Sequence, residues 1–289
     1  MRNRLKEITV QPRIAIVFVT LVIAALCNHT FFVKTFTAYA HEPGFLISVV
    51  VLFLSFHFFI FSLVAHGRAL KPVLIAILLF SSAQAYFTDA FGVISDSTMI
   101  INIFKTDPRE VSDLINLKSL GYFIFIGVLP ALGIYFVNIT GSAFRDHVSA
   151  KMRDVGFALL VVVVTLVSFG KTYASFFREQ KVLREYVNPT FFAYSFVRAI
   201  DESFADPFVP VQEIGTDAHI SENDRARDLV IFVLGETARS DRFSLNGYAR
   251  ETNPLLKKEK VISFHDVYSC GTSTAVSVPC LFSIFGRDA

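Results

Sequence analysis

Phe45-Leu-Ile-Ser-Val-Val-Val-Leu-Phe-Leu-Ser-Phe-His-Phe-Phe-Ile-Phe-Ser-Leu-Val-Ala65 is the stretch on which the fold turns. It contains no Asp, Glu, Lys or Arg and reaches the roughly 20 apolar residues that a helix needs to cross a bilayer. Inside hydrocarbon the backbone satisfies its hydrogen bonds only in a helix or a closed barrel. An unbroken apolar run lacks the alternation of a barrel strand, which leaves the helix. Working outward, residues 14–33, 72–87, 120–139 and 155–174 read the same way, 72–87 being the shortest. The expected architecture over residues 1–174 is an α-helical membrane domain of five transmembrane helices. Mean hydropathy of +0.52 agrees with this, being too high for an ordinary soluble domain.

The basic start Met1-Arg-Asn-Arg-Leu-Lys6, followed by an apolar run, resembles a signal peptide. The run is long enough to span, and no small-residue cleavage site follows it cleanly, so it reads as an uncleaved first helix. Orientation follows from the basic residues. With the N-terminus inside, the inner segments hold Arg2, Arg4, Lys6, Arg13, Arg68, Lys71, Arg145, Lys151 and Arg153. The outer loops hold only Lys34, Lys105, Arg109 and Lys118. Nine against four favours a cytoplasmic N-terminus, and five crossings then deliver the remainder of the chain outside, in a Gram-negative cell the periplasm. The net charge of +2 and the lack of basic runs interleaved with aromatics argue against nucleic-acid binding.

Residues 175–227 alternate charges such as Arg178 and Glu185 with aromatics such as Phe176, Tyr186 and Phe192. This pattern suits amphipathic helices at the bilayer surface, broken at Asn188-Pro189, or else a solvated linker. From residue 228 the character changes. Leu229-Val-Ile-Phe-Val-Leu234 reads as a buried parallel strand opening an α/β domain over 228–289, with a second strand at 261–264.

The chemistry-bearing residues lie in this last segment. Glu236 follows the first strand, where open α/β sheets place their ligand sites; it also reads as an ordinary helix-start acid. Cys270 and Cys280 sit ten apart in an oxidising compartment and so either pair or hold zinc, although the spacing differs from a zinc knuckle. A disulfide here would contribute about 2–3 kcal/mol by loop closure. Between them lie Thr272, Ser273 and Thr274, ahead of a helix-compatible run. A hydroxyl there either caps the helix or, at the positive end of its dipole, serves as a nucleophile toward phosphate. A divalent metal shared by Glu236 and Thr274 would activate that hydroxyl. The third cysteine, Cys27, lies in an apolar stretch and reads as a small buried hydrophobe.

Leu234-Gly-Glu-Thr-Ala-Arg239, Leu245-Asn-Gly-Tyr-Ala-Arg-Glu-Thr-Asn-Pro-Leu255 and Ser269-Cys-Gly-Thr-Ser-Thr-Ala-Val-Ser-Val-Pro-Cys280 resemble the phosphoethanolamine–lipid A transferases, which include the mobile colistin-resistance enzymes. The five-helix anchor extends the resemblance over essentially the whole chain. The resemblance implies an alkaline-phosphatase-like (sulfatase-type) catalytic domain, with zinc bound by Glu236 and by Thr274, the nucleophile. It implies a Cys270–Cys280 disulfide. It implies a phospho-threonine intermediate, with phosphatidylethanolamine as donor and a lipid A phosphate as acceptor. It also implies that Asn102, Thr106 and Glu110, four residues apart in the loop between the third and fourth spans, contact the ethanolamine group. The bare sequence of that loop reads equally as an ordinary polar interfacial loop. Other expected partners are membrane lipids, and the expected assembly is a monomer. The family's remaining zinc ligands and active-site histidines come from well beyond its nucleophile motif, and Ala289 is fifteen residues after Thr274. The expectation is therefore that this chain alone is catalytically incomplete, with a poorly ordered last segment. Two alternatives accompany this reading. One is a related phosphoethanolamine or phosphoglycerol transferase with another acceptor; the other is a non-catalytic membrane remnant.

Overall fold

The computed structural model describes residues 9–105, 114–139, 144–204, 213, 215–219, 229–235 and 238–283. It divides into two compact units, Met1–Pro207 and Phe208–Ala289. The first unit runs β1 (Thr9–Val10), α1 (Pro12–Leu26), α2 (His29–Ala38), α3 (Pro43–Val64), a 3-10 turn (Gly67–Ala69), α4 (Leu70–Phe91), α5 (Ser97–Lys105), α6 (Leu117–Phe136), β2 (Asn138–Ile139), α7 (Phe144–Ser168), α8 (Gly170–Glu179), α9 (Lys181–Glu185) and α10 (Thr190–Phe204). Among the described residues, three helices are long and apolar enough to cross a membrane: Pro43–Val64, Gly67–Phe91 and Leu117–Phe136. Two bent pairs, α1 with α2 and α7 with α8, raise the count to five if each pair is one span.

Those bends correct the sequence expectation at two places. The first span, expected unbroken over 14–33, stops at Leu26 and turns by 62° into α2. At the corner, the buried Asn28 side chain donates to the Ile23 carbonyl (3.0 Å) and to the Asn188 carbonyl (2.8 Å), and accepts from the Asn188 amide (2.9 Å). A polar side chain bonded to a segment far along the chain thus takes the carbonyl end of α1 where the helix stops. The fifth span, expected over 155–174, ends at Ser168 and turns by 85° at Phe169-Gly170 into α8. There Tyr173 and Phe176 of α8 fold back onto Phe45 of α3, with ring centroids 5.0 and 5.9 Å away. The Tyr173 hydroxyl and Ser48 Oγ share a hydrogen bond of 3.0 Å.

The other ends move less. α4 extends the expected 72–87 to Leu70–Phe91, because Asp89 near its end receives a hydrogen bond from Thr30 of α2 and stays within the helix. α6 starts at Leu117 rather than 120. Asn116 caps it, its Oδ1 accepting from the amides of Lys118 and Ser119 (3.0 Å each) while the Ser119 Oγ accepts from the Asn116 amide (2.9 Å). Within α6, Phe123–Val128 is wound as a π-helix just ahead of Pro130. Proline offers no N–H to the carbonyl four residues back, and the wider turn accommodates that loss.

The core of the unit is built mainly of apolar side chains, among them Val19 and Ile23 of α1, Phe45, Val49, Phe53 and Phe61 of α3, Leu74 and Leu78 of α4, with polar groups such as Ser48, His57 and Ser81 buried between them. Side chains on the outside are apolar as well. Phe157 and Val167 of α7 are 67% and 76% exposed, which suits a helix surrounded by lipid rather than water. With lipid as apolar as the core, helix association rests on close packing and on polar contacts. Gly127 of α6 shows the packing: a Cβ there would lie 2.2 Å from Ser82 Oγ and 3.0 Å from Ser82 Cβ on α4. β1 and β2 pair in parallel, Thr9 opposite Asn138 and Val10 opposite Ile139. Lys71 Nζ at the start of α4 donates to the Tyr135 carbonyl at the end of α6 (3.2 Å). The starts of α1 and α4 and the end of α6 therefore share one end of the bundle, as strict up-down alternation requires.

The second unit contains two 3-10 turns (Ser240–Arg242 and Ser244–Asn246), α11 (Pro254–Lys258) and α12 (Thr274–Leu281). Here the sequence expectation fails. No strand occurs among its described residues, and Leu229 to Leu234, expected as a buried strand, are 47–85% exposed. The same holds at 261–264, where Ile262 is 82% exposed. A parallel strand is held by hydrogen bonds to neighbouring strands and by helices on both faces; among the described residues nothing supplies either.

Candidate active site

Thr274 is the first residue of α12 and is exposed. Ser273 precedes it in an extended conformation (φ −103°, ψ 145°), and its carbonyl accepts from the amides of Val276 (3.1 Å) and Ser277 (2.9 Å). The positive end of the helix dipole at this position favours an oxyanion and a phosphate. Cys270 and Cys280 are joined in a disulfide with Cα atoms 6.3 Å apart, within the ordinary span of such a bridge. The bridge ties the chain ahead of Thr274 to the last turn of α12, so the hydroxyl sits inside a closed loop. Gly271 lies against the helix, where a Cβ would meet Val276 Cγ1 at 2.7 Å. The Ser269 hydroxyl donates to the Gly271 carbonyl (2.7 Å), which holds the same turn.

The 239–255 segment, which carried no assigned role, is a hydrogen-bonded scaffold. Arg239 grips Asp241 with two bonds, Nε to Oδ1 at 3.1 Å and a terminal nitrogen to Oδ2 at 2.8 Å. That guanidinium holds the Asp241 carboxyl below the usual carboxylate range. Arg242 lies 5.2 Å over the Tyr248 ring and donates to its hydroxyl (3.0 Å). Thr252 Oγ1 donates to the Arg242 carbonyl (2.7 Å) and accepts from the Ser244 amide (2.9 Å). The sequence signal was the Asn246-Gly247 pair, a turn dipeptide, with Gly247 at φ 95°. Asn246 also accepts from the Ser263 hydroxyl (2.7 Å).

In the first unit Asn102 lies on α5, partly buried. Asp96 caps the start of α5 through the Met99 amide (2.7 Å). Ile100 faces inward at 2% exposure, and Phe104 packs on Phe196 of α10 at 6.3 Å. α10 in turn begins just beyond Asn188, whose side chain donates to the carbonyls of Cys27 (3.3 Å) and Ser81 (2.8 Å). Asn102 is thereby carried on a helix packed against one that is anchored to the corner of α1. Of the other expected site residues, Glu236, Thr106 and Glu110 lie outside the described residues. Among the described residues no three His, Cys, Asp or Glu side chains come together. Zinc takes three or four ligands, so these residues by themselves do not make its site.

Residues 53–204 match the family described as phosphoethanolamine transferase EptA/EptB, and residues 228–289 match the sulfatase family. The chain belongs to the phosphoethanolamine transferase family. It is 37% identical over 288 residues to the phosphatidylethanolamine transferase Mcr-1 of Escherichia coli, covering 97% of this chain and 53% of that protein. It is 37% identical over 229 residues to the phosphoethanolamine transferase EptA of Escherichia coli K12, covering 75% of this chain and 40% of that protein. Its fold matches the solved lipooligosaccharide phosphoethanolamine transferase A of Neisseria meningitidis with a TM-score of 0.86 at 27% identity, over 97% of this chain and 53% of that one. The chain spans about half the length of the curated relatives it matches. Family membership covers both units: the transferase match falls on the helical bundle and the sulfatase match on the unit that holds Thr274.

Proposed function

We propose that the chain is part of an inner-membrane enzyme that moves phosphoethanolamine from phosphatidylethanolamine to a lipid A phosphate, with Thr274 as the nucleophile. The observation that carries this reading is the placement of Thr274: exposed, at the first position of a helix, inside a disulfide-closed loop. On losing its proton, the Thr274 oxygen attacks the phosphorus of phosphatidylethanolamine. The bond from phosphorus to the diacylglycerol oxygen breaks, and diacylglycerol leaves as the alcohol with a proton. An oxygen of the lipid A phosphate then attacks the same phosphorus, the bond to Thr274 breaks, and the threonine regains its proton. The positive end of the α12 dipole favours the negative charge that builds on phosphorus oxygens in both steps. Zinc enters as the cofactor that Glu236 and Thr274 would help hold; the described residues alone do not make its site, and neither step above is routed through it. Asn102, Thr106 and Glu110 are assigned to the ethanolamine group, Glu110 to its ammonium and the other two as hydrogen-bond partners.

The cytoplasmic N-terminus and periplasmic catalytic unit belong to the same proposal. They are supported by the nine-to-four division of basic residues and by the shared bundle end of residues 9–10, 71 and 135–139. A single copy suffices for this chemistry. The test is lipid A from cells producing this chain joined to the part of a full-length relative that lies beyond it. The expected result is lipid A carrying one added phosphoethanolamine on a phosphate, and none when Thr274→Ala is introduced. Addition to a core sugar instead would move the assignment to another acceptor, and transfer by the Thr274→Ala protein would remove the nucleophile assignment.

A further inference from the structure

At the bundle end that holds residues 9–13, a cavity of about 320 Å³ opens between α1, α3 and α7. Its depth is apolar, lined by Val17, Leu54, Phe58 and Phe157 among others. The Thr20 hydroxyl in its wall is turned onto the Ile16 carbonyl (2.8 Å), so the interior makes little polar demand. The cavity opens sideways: Val17 and Phe157 are 43% and 67% exposed on the surface that faces lipid. This shape takes a stretch of acyl chain.

Its polar edge carries one charge of each sign, Arg13 and Asp154. They line the same cavity yet close no ion pair with each other. Arg13 meets no carboxylate within ion-pair distance among the described residues. Asp154 has only its neighbour Arg153, 4.0 Å away with a side chain 72% exposed, while Asp154 itself is 23% exposed. A cation with no ion pair among the described residues and a partly buried acid, both lining one apolar cleft, complement a ligand that carries an anion, a cation and a hydrocarbon tail.

We propose that this cavity binds a zwitterionic phospholipid of the ethanolamine class: phosphate on Arg13, primary ammonium on Asp154, acyl chain in the cleft. Arg13 sets a planar donor fork against phosphate oxygens. Asp154 accepts hydrogen bonds from a primary ammonium, which a choline headgroup cannot donate, and it repels a headgroup that is only anionic. The site lies at the opposite end of the bundle from α5 and Asn102, since α4 separates Lys71 from Phe91 along its whole length. It is thus a second lipid contact, and it does not depend on transfer chemistry.

The test is lipid retention by the purified full chain in native mass spectrometry, with phosphatidylethanolamine, phosphatidylcholine and phosphatidylglycerol of identical acyl chains. Retention of the ethanolamine lipid should exceed the other two by about tenfold, the size of one charge-assisted hydrogen bond at a partly wet site. Arg13→Gln should lower retention of all three lipids, and Asp154→Asn should remove the share of the ethanolamine preference that this cavity supplies, leaving that of the contact around Asn102. Equal retention of the three lipids by the unaltered chain overturns the proposal without reference to any variant. A preference undiminished by both substitutions overturns it as well, by placing the whole selective contact elsewhere, for instance around Asn102.

Discussion

Replacing Asn28 by alanine tests what holds the interfacial helices to the bundle. The side chain makes three hydrogen bonds: to the Ile23 carbonyl, to the Asn188 carbonyl and from the Asn188 amide. Both asparagines are 2% exposed. The Ile23 carbonyl keeps its bond from the Cys27 amide at 3.0 Å after the substitution. The Asn188 amide and carbonyl lose this partner in a place that water hardly reaches. At about 1–3 kcal/mol for each buried orphan, the loss is about 2–6 kcal/mol. Polar contacts between membrane helices average about 0.6 kcal/mol and reach about 1.7, so three of them give about 2–5 kcal/mol. The overlap of the two ranges argues for a destabilisation of about 2–5 kcal/mol. Thermal unfolding of the purified chain in detergent, followed by circular dichroism, reads this directly. Tryptic cleavage at Lys181 and Arg184 should accelerate in parallel, because α9 lies just ahead of the released segment. A stability within about 0.5 kcal/mol of the unaltered chain, with unchanged cleavage, would refute the reasoning that this polar corner fixes α10 and through it α5.

Further outcomes follow from single contacts. Gly127→Ala should destabilise the bundle by about 1–3 kcal/mol, because its Cβ meets Ser82 Oγ at 2.2 Å; Ser82→Ala should restore part of that loss in the double variant, measured by the same thermal unfolding. Cys270→Ser should open the loop around Thr274 at a cost of about 2–3 kcal/mol, seen as faster hydrogen exchange at 271–280. Arg239 holds the Asp241 carboxyl below its ordinary 3.8, so the contact favours the folded loop above that value and is lost as pH falls through the lowered one. The Asp241 carboxyl resonance should therefore stay ionised from pH 7 to below 3.8, and Arg239→Gln should raise its titration toward the ordinary value.

What the sequence conveyed and what it hid divide along physical lines. α3 was legible almost to the residue because its apolar run is bounded by Pro43, which starts helices, and by the polar His66-Gly67. The corner after α1 was not, because one asparagine in an apolar run looks tolerable. Its effect appears only with Asn188, 160 residues away. The bend at Phe169-Gly170 likewise depends on Phe45 and Ser48, which receive the folded-back aromatic face of α8. A helix is a local structure and its periodicity shows in sequence; a corner made by tertiary contacts does not. The 229–234 run is the converse case. Its composition reads as a strand, but strand pairing is non-local, and the described residues offer it no neighbour. At the site, the helix start at Thr274 was legible from Ser and Thr ahead of an apolar run, although the same residues read equally as a simple cap. The Arg239–Asp241 and Arg242–Tyr248 contacts were not legible, since each pairs side chains whose facing depends on the turn at Gly247.

The central claim is that the Thr274 oxygen carries the transferred group. The most direct measurement incubates the protein containing this chain and the rest of its catalytic domain with phosphatidylethanolamine labelled in the ethanolamine, withholds acceptor, and maps the label by peptide mass spectrometry. The account predicts label on the peptide holding Thr274, an equal release of diacylglycerol, and loss of both in the Thr274→Ala protein. Label on another side chain, or diacylglycerol release with no labelled peptide, contradicts it.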